Sequence, residues 1–195
     1  MMAKIAIIQG HPDPGGNRLC HALGDAYSEG AEGAGHTVTM ISVGNLDFPL
    51  LRSQSEWNAG AAGTPQGLVD AQKSCLEADH IVFIYPLWLG TMPALLKGFL
   101  EQVFRPGVVM SEGDSFPKAK LKGKSARIVV TMGMPALAYR YFFMAHSLKN
   151  LQRNILGFVG IGPIRSTLFG MVEQASDARR QTWLDKMRAL GRAAR

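Results

Sequence analysis

The chain has 195 residues, enough for one α/β domain with a full core. Hydrophobic residues make up 47% and charged residues 18%, a globular balance that excludes a disordered chain. The net charge is +6, but the basic residues cluster at 118–127 and in the C-terminal helix with no nucleic-acid fold signature, so they read as solvated surface.

Cys20 and Cys75 have neither metal-ligand nor CxxC spacing, and fit two reduced, partly buried thiols of a cytosolic protein. The first nine residues form a short strand without the apolar region of a signal peptide. The longest uncharged run, residues 80–96, is broken by Pro86, Gly90 and Pro93 and is too short to span a bilayer.

From the N-terminus, Lys4–Gln9 (KIAIIQ) predicts a strand buried on both faces, because its apolar residues are nearly continuous. Residues 10–19 (GHPDPGGNRL) form a Gly/Pro-rich turn into a helix with Leu19, Leu23, Ala26 and Tyr27 on one face. A strand, a tight loop and a helix N-terminus make an anion site that favours phosphate. Asn17 and Arg18 are placed to add side-chain donors there. The loop is neither GxGxxG nor a Walker loop. His11 is either a ligand contact or a loop residue holding the turn.

Residues 36–43 (HTVTMISV) predict a second strand, 66–78 a helix and 79–85 a third strand. Between them, 45–67 is a long irregular stretch with Phe48, Pro49, Leu50, Leu51 and Trp57. Loops of that length are functional or mobile, and its apolar residues call for a packing surface such as another subunit.

The chain is organised around residues 81–104 (IVFIYPLWLGTMPALLKGFLEQVF). A buried strand runs into an apolar turn at Pro86, Leu87, Trp88, Leu89 and Gly90. Pro93 then starts a helix with Leu95, Leu96, Phe99, Leu100, Val103 and Phe104 on one face. Ligands of open α/β sheets bind beyond the carboxyl ends of the strands. An aromatic, proline-stiffened loop there suits a flat ring system better than a phosphate.

Arg105, Pro106 and Gly107 end that helix, the arginine as a cation in its last turn. Residues 108–124 predict a loop with lysines around Pro117 and Gly123, and 125–131 (SARIVVT) a fourth strand. A second strand-end loop, TMGMPA at 131–136, leads into a helix carrying Tyr139, Tyr141, Phe142, Phe143, Met144 and His146. A short fifth strand is expected at 158–161. Ser176 caps a last helix with a stripe of Trp183, Leu184, Met187 and Leu190. The alternation predicts an α/β fold in a single domain over 1–195: a doubly wound, five-stranded parallel sheet with helices on both faces. Its expected order is the flavodoxin-like 2-1-3-4-5, with the ligand crevice at the first and third strands.

Tyr85-Pro86-Leu87-Trp88, followed by Met92-Pro93-Ala94-Leu95-Leu96-Lys97-Gly98 and Val103-Phe104, resembles the quinone-reductase family of flavodoxin-like flavoproteins. That family includes DT-diaphorase, the drug-activity-modulator quinone reductases and the ancillary subunits of potassium-efflux systems. The resemblance runs over about residues 4–190, supported by His11-Pro12 after the first strand and Thr131-Met132-Gly133 after the fourth.

The resemblance implies a flavin with its phosphate on His11, Asn17, Arg18 and Leu19. Its ring would lie along Pro86, Leu87, Trp88 and Leu89, with Thr131, Met132, Gly133 and Met134 on another edge. Tyr139 matches a family tyrosine that assists charge transfer, and His146 matches the family histidine if one residue is inserted. FAD is implied slightly ahead of FMN, with NAD(P)H as co-substrate and ping-pong, two-electron reduction of a quinone-like acceptor. A cytoplasmic homodimer with the site at the subunit interface is also implied, 48–57 and 141–144 being sources of that interface.

The chain departs from the family pattern at Leu89, where a second aromatic is common. It departs also at Gly15 and Gly16, where serine or threonine is usual, and at Gly133-Met134-Pro135, where Gly-Gly is usual. The family also offers a regulatory flavoprotein bound to a membrane transporter, with 118–124 or 45–67 as its contact surface. A flavodoxin-type electron carrier is typically acidic, and +6 argues against it.

Overall fold

A computed structural model of the chain describes residues 2–111 and 118–195. Five parallel strands, β1 (Lys4–Gln9), β2 (Thr37–Ser42), β3 (His80–Pro86), β4 (Ser125–Met132) and β5 (Ile164–Gly170), form one sheet in the order β2-β1-β3-β4-β5. This is the expected 2-1-3-4-5 order. Alternate side chains of the central strands point to opposite faces, as the pleat requires. Ile5, Ile7, Val82, Ile84 and Val129 meet α1 (Leu19–Glu32) and α6 (Asp177–Arg192). Ala6, Ile8, Phe83, Tyr85, Ile128 and Val130 meet α3 (Val69–Glu77), α4 (Ala94–Val103) and α5 (His146–Asn150). α1 and α6 touch closely: a Cβ at Gly191 would lie 2.1 Å from the carbonyl oxygen of Tyr27.

The fifth strand is not at 158–161. Those residues turn, with Gly160 at a φ of 96° and Phe158 exposed, and β5 follows at Ile164–Gly170. As an edge strand it needs few apolar residues, so Arg165 and Ser166 hid it in the sequence.

The helix expected through Tyr139 and His146 is also divided. A π-helical turn at Ala138–Phe142 ends, Met144 and Ala145 take left-handed backbone, and α5 begins at His146. Tyr139 and His146 therefore stand on separate segments.

The stretch 45–67 is built rather than irregular. It holds α2 (Gln54–Asn58), capped by the Ser53 hydroxyl, and a 3-10 turn at Gly60–Gly63. Arg105, read from the sequence as a cation ending the helix, is buried. Its Nη1 donates to the Glu56 carbonyl at 2.5 Å and its Nε to the Gln102 side-chain oxygen at 3.2 Å. The Gln102 amide in turn donates to the Pro49 carbonyl at 2.6 Å, so Gln102 of α4 and Arg105 just beyond its end carry the excursion.

Lys124 donates to the carbonyls of Leu76 and Ala78, both at 2.6 Å, closing the end of α3 rather than standing free in solvent. Pro117 and the middle of the loop expected at 108–124 lie outside the described residues. Both cysteines are free thiols and buried, and burial pushes their pKa values up, Cys20 to about 11 and Cys75 to about 12. Among the described residues no helix is long and apolar enough to cross a membrane.

Candidate functional site

Three loops leave the carboxyl ends of adjacent strands and meet. Gln9 pairs with Ile84, and Pro86 pairs with Thr131, so β1, β3 and β4 end nearly level. Two backbone bonds stitch the loop starts together: Gly10 N–H to the Ile84 carbonyl and Leu87 N–H to the Thr131 carbonyl, each 2.8 Å.

The first loop is an anion cradle. The backbone N–H groups of Gly16, Arg18, Leu19 and Cys20 have no acceptor among the described residues, and no side chain caps α1. A Cβ on Gly16 would meet nothing within 4 Å, so open space lies above these donors. Asn17 and Arg18 are exposed beside them. Arg18, however, is engaged by Asp13, whose carboxylate also accepts the Gly15 N–H at 2.9 Å. That arginine holds the Asp13 carboxyl below its usual range.

His11 is buried. Its Nδ1 accepts from the Asp13 N–H at 3.1 Å, and burial lowers its pKa. Its ring lies edge-on to Trp88, with centroids 5.7 Å apart. Holding the turn and facing the site are therefore compatible roles for this one residue.

The second loop is a two-residue hairpin. Trp88 and Thr91 exchange both backbone hydrogen bonds at 2.9 Å, and Leu89 and Gly90 between them have φ of 46° and 78°. That geometry is a type I′ turn, which asks for positive φ at both central residues. It raises Trp88, half exposed, and Leu89, fully exposed, above the sheet end. Pro86 is buried beneath them as the last residue of β3, and Leu87 is partly buried.

The third loop is tied to the end of β5 by Met171 N–H to the Met134 carbonyl, 3.1 Å, and Val172 N–H to the Met132 carbonyl, 3.3 Å. Its own donors at Gly133 and Met134 have no acceptor among the described residues. Thr131 and Met132 are buried under it. The Thr131 hydroxyl lies 3.2 Å from the Cys20 sulfur, linking the first loop to the third.

The geometry thus gathers His11, Asn17, Arg18 and Leu19, the Pro86–Leu89 turn, and Thr131 to Met134 at one sheet end. Tyr139 is placed otherwise: it is buried, and its hydroxyl lies 2.8 Å from the Ser147 hydroxyl and accepts the Leu148 N–H at 3.2 Å. His146 is exposed at the start of α5.

Sequence reasoning missed His21, one turn along from Arg18 on α1, which is buried with both ring nitrogens unpartnered. It also missed a hollow of about 570 Å³ leading from residues 16–19 to Val172, Glu173, Arg180 and Leu184. The i, i+3 spacing of Arg18 and His21 was the available signal for the first. The second joins residues far apart in the chain and left none.

The family model described as flavodoxin-like fold matches residues 3–190. The chain belongs to the flavodoxin-like fold family. Among its relatives is an uncharacterized NAD(P)H oxidoreductase of Haemophilus influenzae, 28% identical over 138 residues, 70% of this chain and 68% of that one. The FMN-dependent NADH:quinone oxidoreductase 3 of Bacillus cereus is 25% identical over 176 residues, 82% of this chain and 83% of the relative. The solved NAD(P)H:quinone oxidoreductase of Methanothermobacter marburgensis superposes with a TM-score of 0.85 at 22% identity, covering 100% of both chains. At that identity the superposition establishes the common fold.

Proposed function

We propose that this flavodoxin-like protein is a flavin-dependent NAD(P)H oxidoreductase that transfers two electrons to quinones or similar flat electrophiles. One observation carries the reading: a cradle of free amides, an exposed tryptophan turn and a second pair of free amides converge at one sheet end. The names of the relatives from Haemophilus influenzae and Bacillus cereus agree with it.

The residues present fit a flavin. The amides of Arg18 and Leu19, with Asn17 and His11, would hold its phosphate. Pro86, Leu87, Trp88 and Leu89 would wall the ring, and the free N–H groups of Leu89 and Gly90 are donors available to it. The free amides of Gly133 and Met134 would be donors for negative charge that develops on the ring. When bound, the flavin would supply hydride acceptance from NAD(P)H and hydride delivery to the acceptor. In this reading His146, exposed at the start of α5, would donate a hydrogen bond to the acceptor. Tyr139 positions this histidine, because its hydroxyl fixes the first turn of α5.

The larger flavin, FAD, is the one the hollow beyond Gly16 favours. It offers a second cation, Arg180, and apolar walls at Val172 and Leu184 for a nucleotide extension, whereas the Bacillus cereus relative is named for FMN. A homodimer is part of this reading. Tyr141, Phe142, Phe143 and Met144 form a consecutive exposed apolar run, and a groove of about 400 Å³ opens beside Trp57, Leu100, Phe104 and Phe158.

The test is the visible spectrum of the purified chain with added flavin. Stoichiometric binding, anaerobic bleaching by NADPH or NADH within seconds and return of colour on adding a quinone are expected. Bound flavin that neither nucleotide bleaches rejects the oxidoreductase reading, and failure of both FAD and FMN to bind rejects the flavin site.

A further inference from the structure

α6 walls two hollows at once, with successive side chains. Arg180 and Leu184 line the one that leads from residues 16–19, together with Val172. Arg179 and Trp183, each one position earlier, line a second hollow of about 230 Å³, together with Met171. Pro135 and Leu137 of the third loop and Phe169 of β5 complete that second hollow. The loop is pressed onto the strand there: a Cβ on Gly170 would lie 2.4 Å from the Ala136 nitrogen. β4 and β5 are neighbours at about 4.8 Å, so the hollow adjoins the loop that carries the free amides of Gly133 and Met134.

The two hollows differ in charge. In the first, each cation stands beside a carboxylate, Arg18 by Asp13 at 2.7 Å and Arg180 by Asp177 at 3.9 Å, and Glu173 lines the same space. Among the described residues that line the second, Arg179 alone is charged. Its guanidinium carbon lies 5.1 Å from the centroid of the Trp183 ring, and that ring packs on Phe169 with centroids 5.1 Å apart. The Lys186 ammonium lies 5.9 Å from the Phe169 centroid. Neither Arg179 nor Lys186 pairs with a carboxylate among the described residues, because Asp177 and Asp185 of the same helix are taken by Arg180 and Arg188. An aromatic pair thus holds an unneutralised guanidinium beside an apolar hollow, with a second such cation about two turns along the helix.

We infer that this hollow receives the adenosine 2′-phosphate end of NADPH, with Arg179 as the ligand of that phosphate, and that the protein therefore prefers NADPH to NADH. The inference rests on the NAD(P)H oxidoreductase reading. The hollow is smaller than the roughly 300 Å³ at which ordinary ligand pockets begin, so it takes one flat ring rather than a whole dinucleotide. A planar guanidinium serves both parts of such a ligand, since its N–H fork pairs with phosphate and its face stacks on a base. Charge decides between the hollows. A phosphate monoester carries about −1.5 to −2 near pH 7, and Asp13 and Glu173 repel it from the first, whereas no acidic residue among those described lines the second.

The experiment uses the flavin-loaded full chain. Anaerobic bleaching is followed against NADPH and NADH concentration, and adenosine 2′,5′-bisphosphate and adenosine 5′-monophosphate are titrated by calorimetry, which reads binding without turnover. Half-saturation should come at least tenfold lower for NADPH than for NADH, and added salt should narrow the gap. The bisphosphate should bind and compete with NADPH, and the monophosphate should bind about tenfold more weakly or not at all.

Arg179→Gln should raise the half-saturating NADPH concentration about tenfold and weaken the bisphosphate equally. It should leave NADH and the limiting bleaching rate unchanged, which also certifies the variant's fold. Arg179→Lys should restore part of the preference, as a point charge without the fork. A parent chain that uses NADH and NADPH alike, or an Arg179→Gln variant that binds the bisphosphate as tightly as the parent, overturns the inference while the oxidoreductase reading stands. Bound flavin that neither nucleotide bleaches removes that reading and this inference with it.

Discussion

Asp13 and Arg18 face each other across the first loop, with Nη2 and Nε of the arginine 2.7 and 3.0 Å from one carboxylate oxygen. The pair is half exposed, so its own stabilisation is small. Its consequence for the site is larger. It places a negative charge beside an anion cradle and occupies the guanidinium that would otherwise reach the phosphate.

Asp13→Asn keeps an oxygen for the Gly15 N–H, removes the charge and frees Arg18. FMN and FAD affinity should rise about 3- to 10-fold, riboflavin affinity should not move, and the gain should shrink with added salt. Arg18→Ala should do the reverse. An Asp13→Asn variant that binds phosphorylated flavins more weakly would mean that the carboxylate's hold on the loop outweighs its charge.

The central architecture was open to reading from the sequence because β1 and β3 are nearly continuous apolar runs and Pro93 and Ser176 mark helix starts. The loops of the site were legible for the same reason, since each follows such a strand. What stayed hidden depends on tertiary partners. β5 is half polar because one of its edges has no neighbour. The break at Met144 and Ala145 carries no glycine or proline to announce left-handed backbone. The burial of Arg105 follows from Gln102 and a distant carbonyl of α2, which no local pattern encodes.

Leu89 adopts a left-handed conformation that a leucine disfavours, while its side chain is fully exposed within the chain. Strain of this kind costs about 1 kcal/mol or more, and nothing intramolecular offsets it. Leu89→Asn, which tolerates the turn, should raise the melting temperature by about 2–4 °C. If the leucine packs on the flavin or its acceptor, the same variant should bind flavin several-fold more weakly or raise KM for the acceptor. A variant that is neither more stable nor altered in binding would place the hairpin outside the site.

The Tyr139 hydroxyl joins Ser147 and the Leu148 amide, so the tyrosine acts on α5 from the buried side and His146 on its exposed start. His146→Ala should slow acceptor reduction about 10- to 100-fold with little change in stability. Tyr139→Phe should cost about 1–3 kcal/mol of stability, because it leaves buried donors unmet, and lower the rate less. The two should not add, since the second acts through the placement of the first. A Tyr139→Phe enzyme that is fully stable yet as slow as His146→Ala would put the phenol at the reacting atoms instead.

His80 sits at the other end of the sheet, buried at the start of β3 with Nδ1 2.7 Å from the Ser125 hydroxyl and Nε2 unpartnered. Its ring stacks on Tyr27 at 6.4 Å. Burial is the main reason that its pKa falls from 6.5 to about 4, with Arg127 and Arg165 adding to the effect. In the unfolded chain the imidazole gains a proton as pH drops below 6.5, whereas the folded chain resists protonation until about 4. Stability is therefore full above 6.5 and declines as pH falls through that window, by about 3 kcal/mol at its lower end. Urea unfolding at pH 7.5 and pH 4.5 measures the decline directly. His80→Phe keeps the stacked, buried shape and removes the titrating group, so its stability should fall distinctly less between the two pH values. An equal decline in parent and variant would assign the acid sensitivity to carboxylates, and would mean that the folded protein admits a charge at His80 after all.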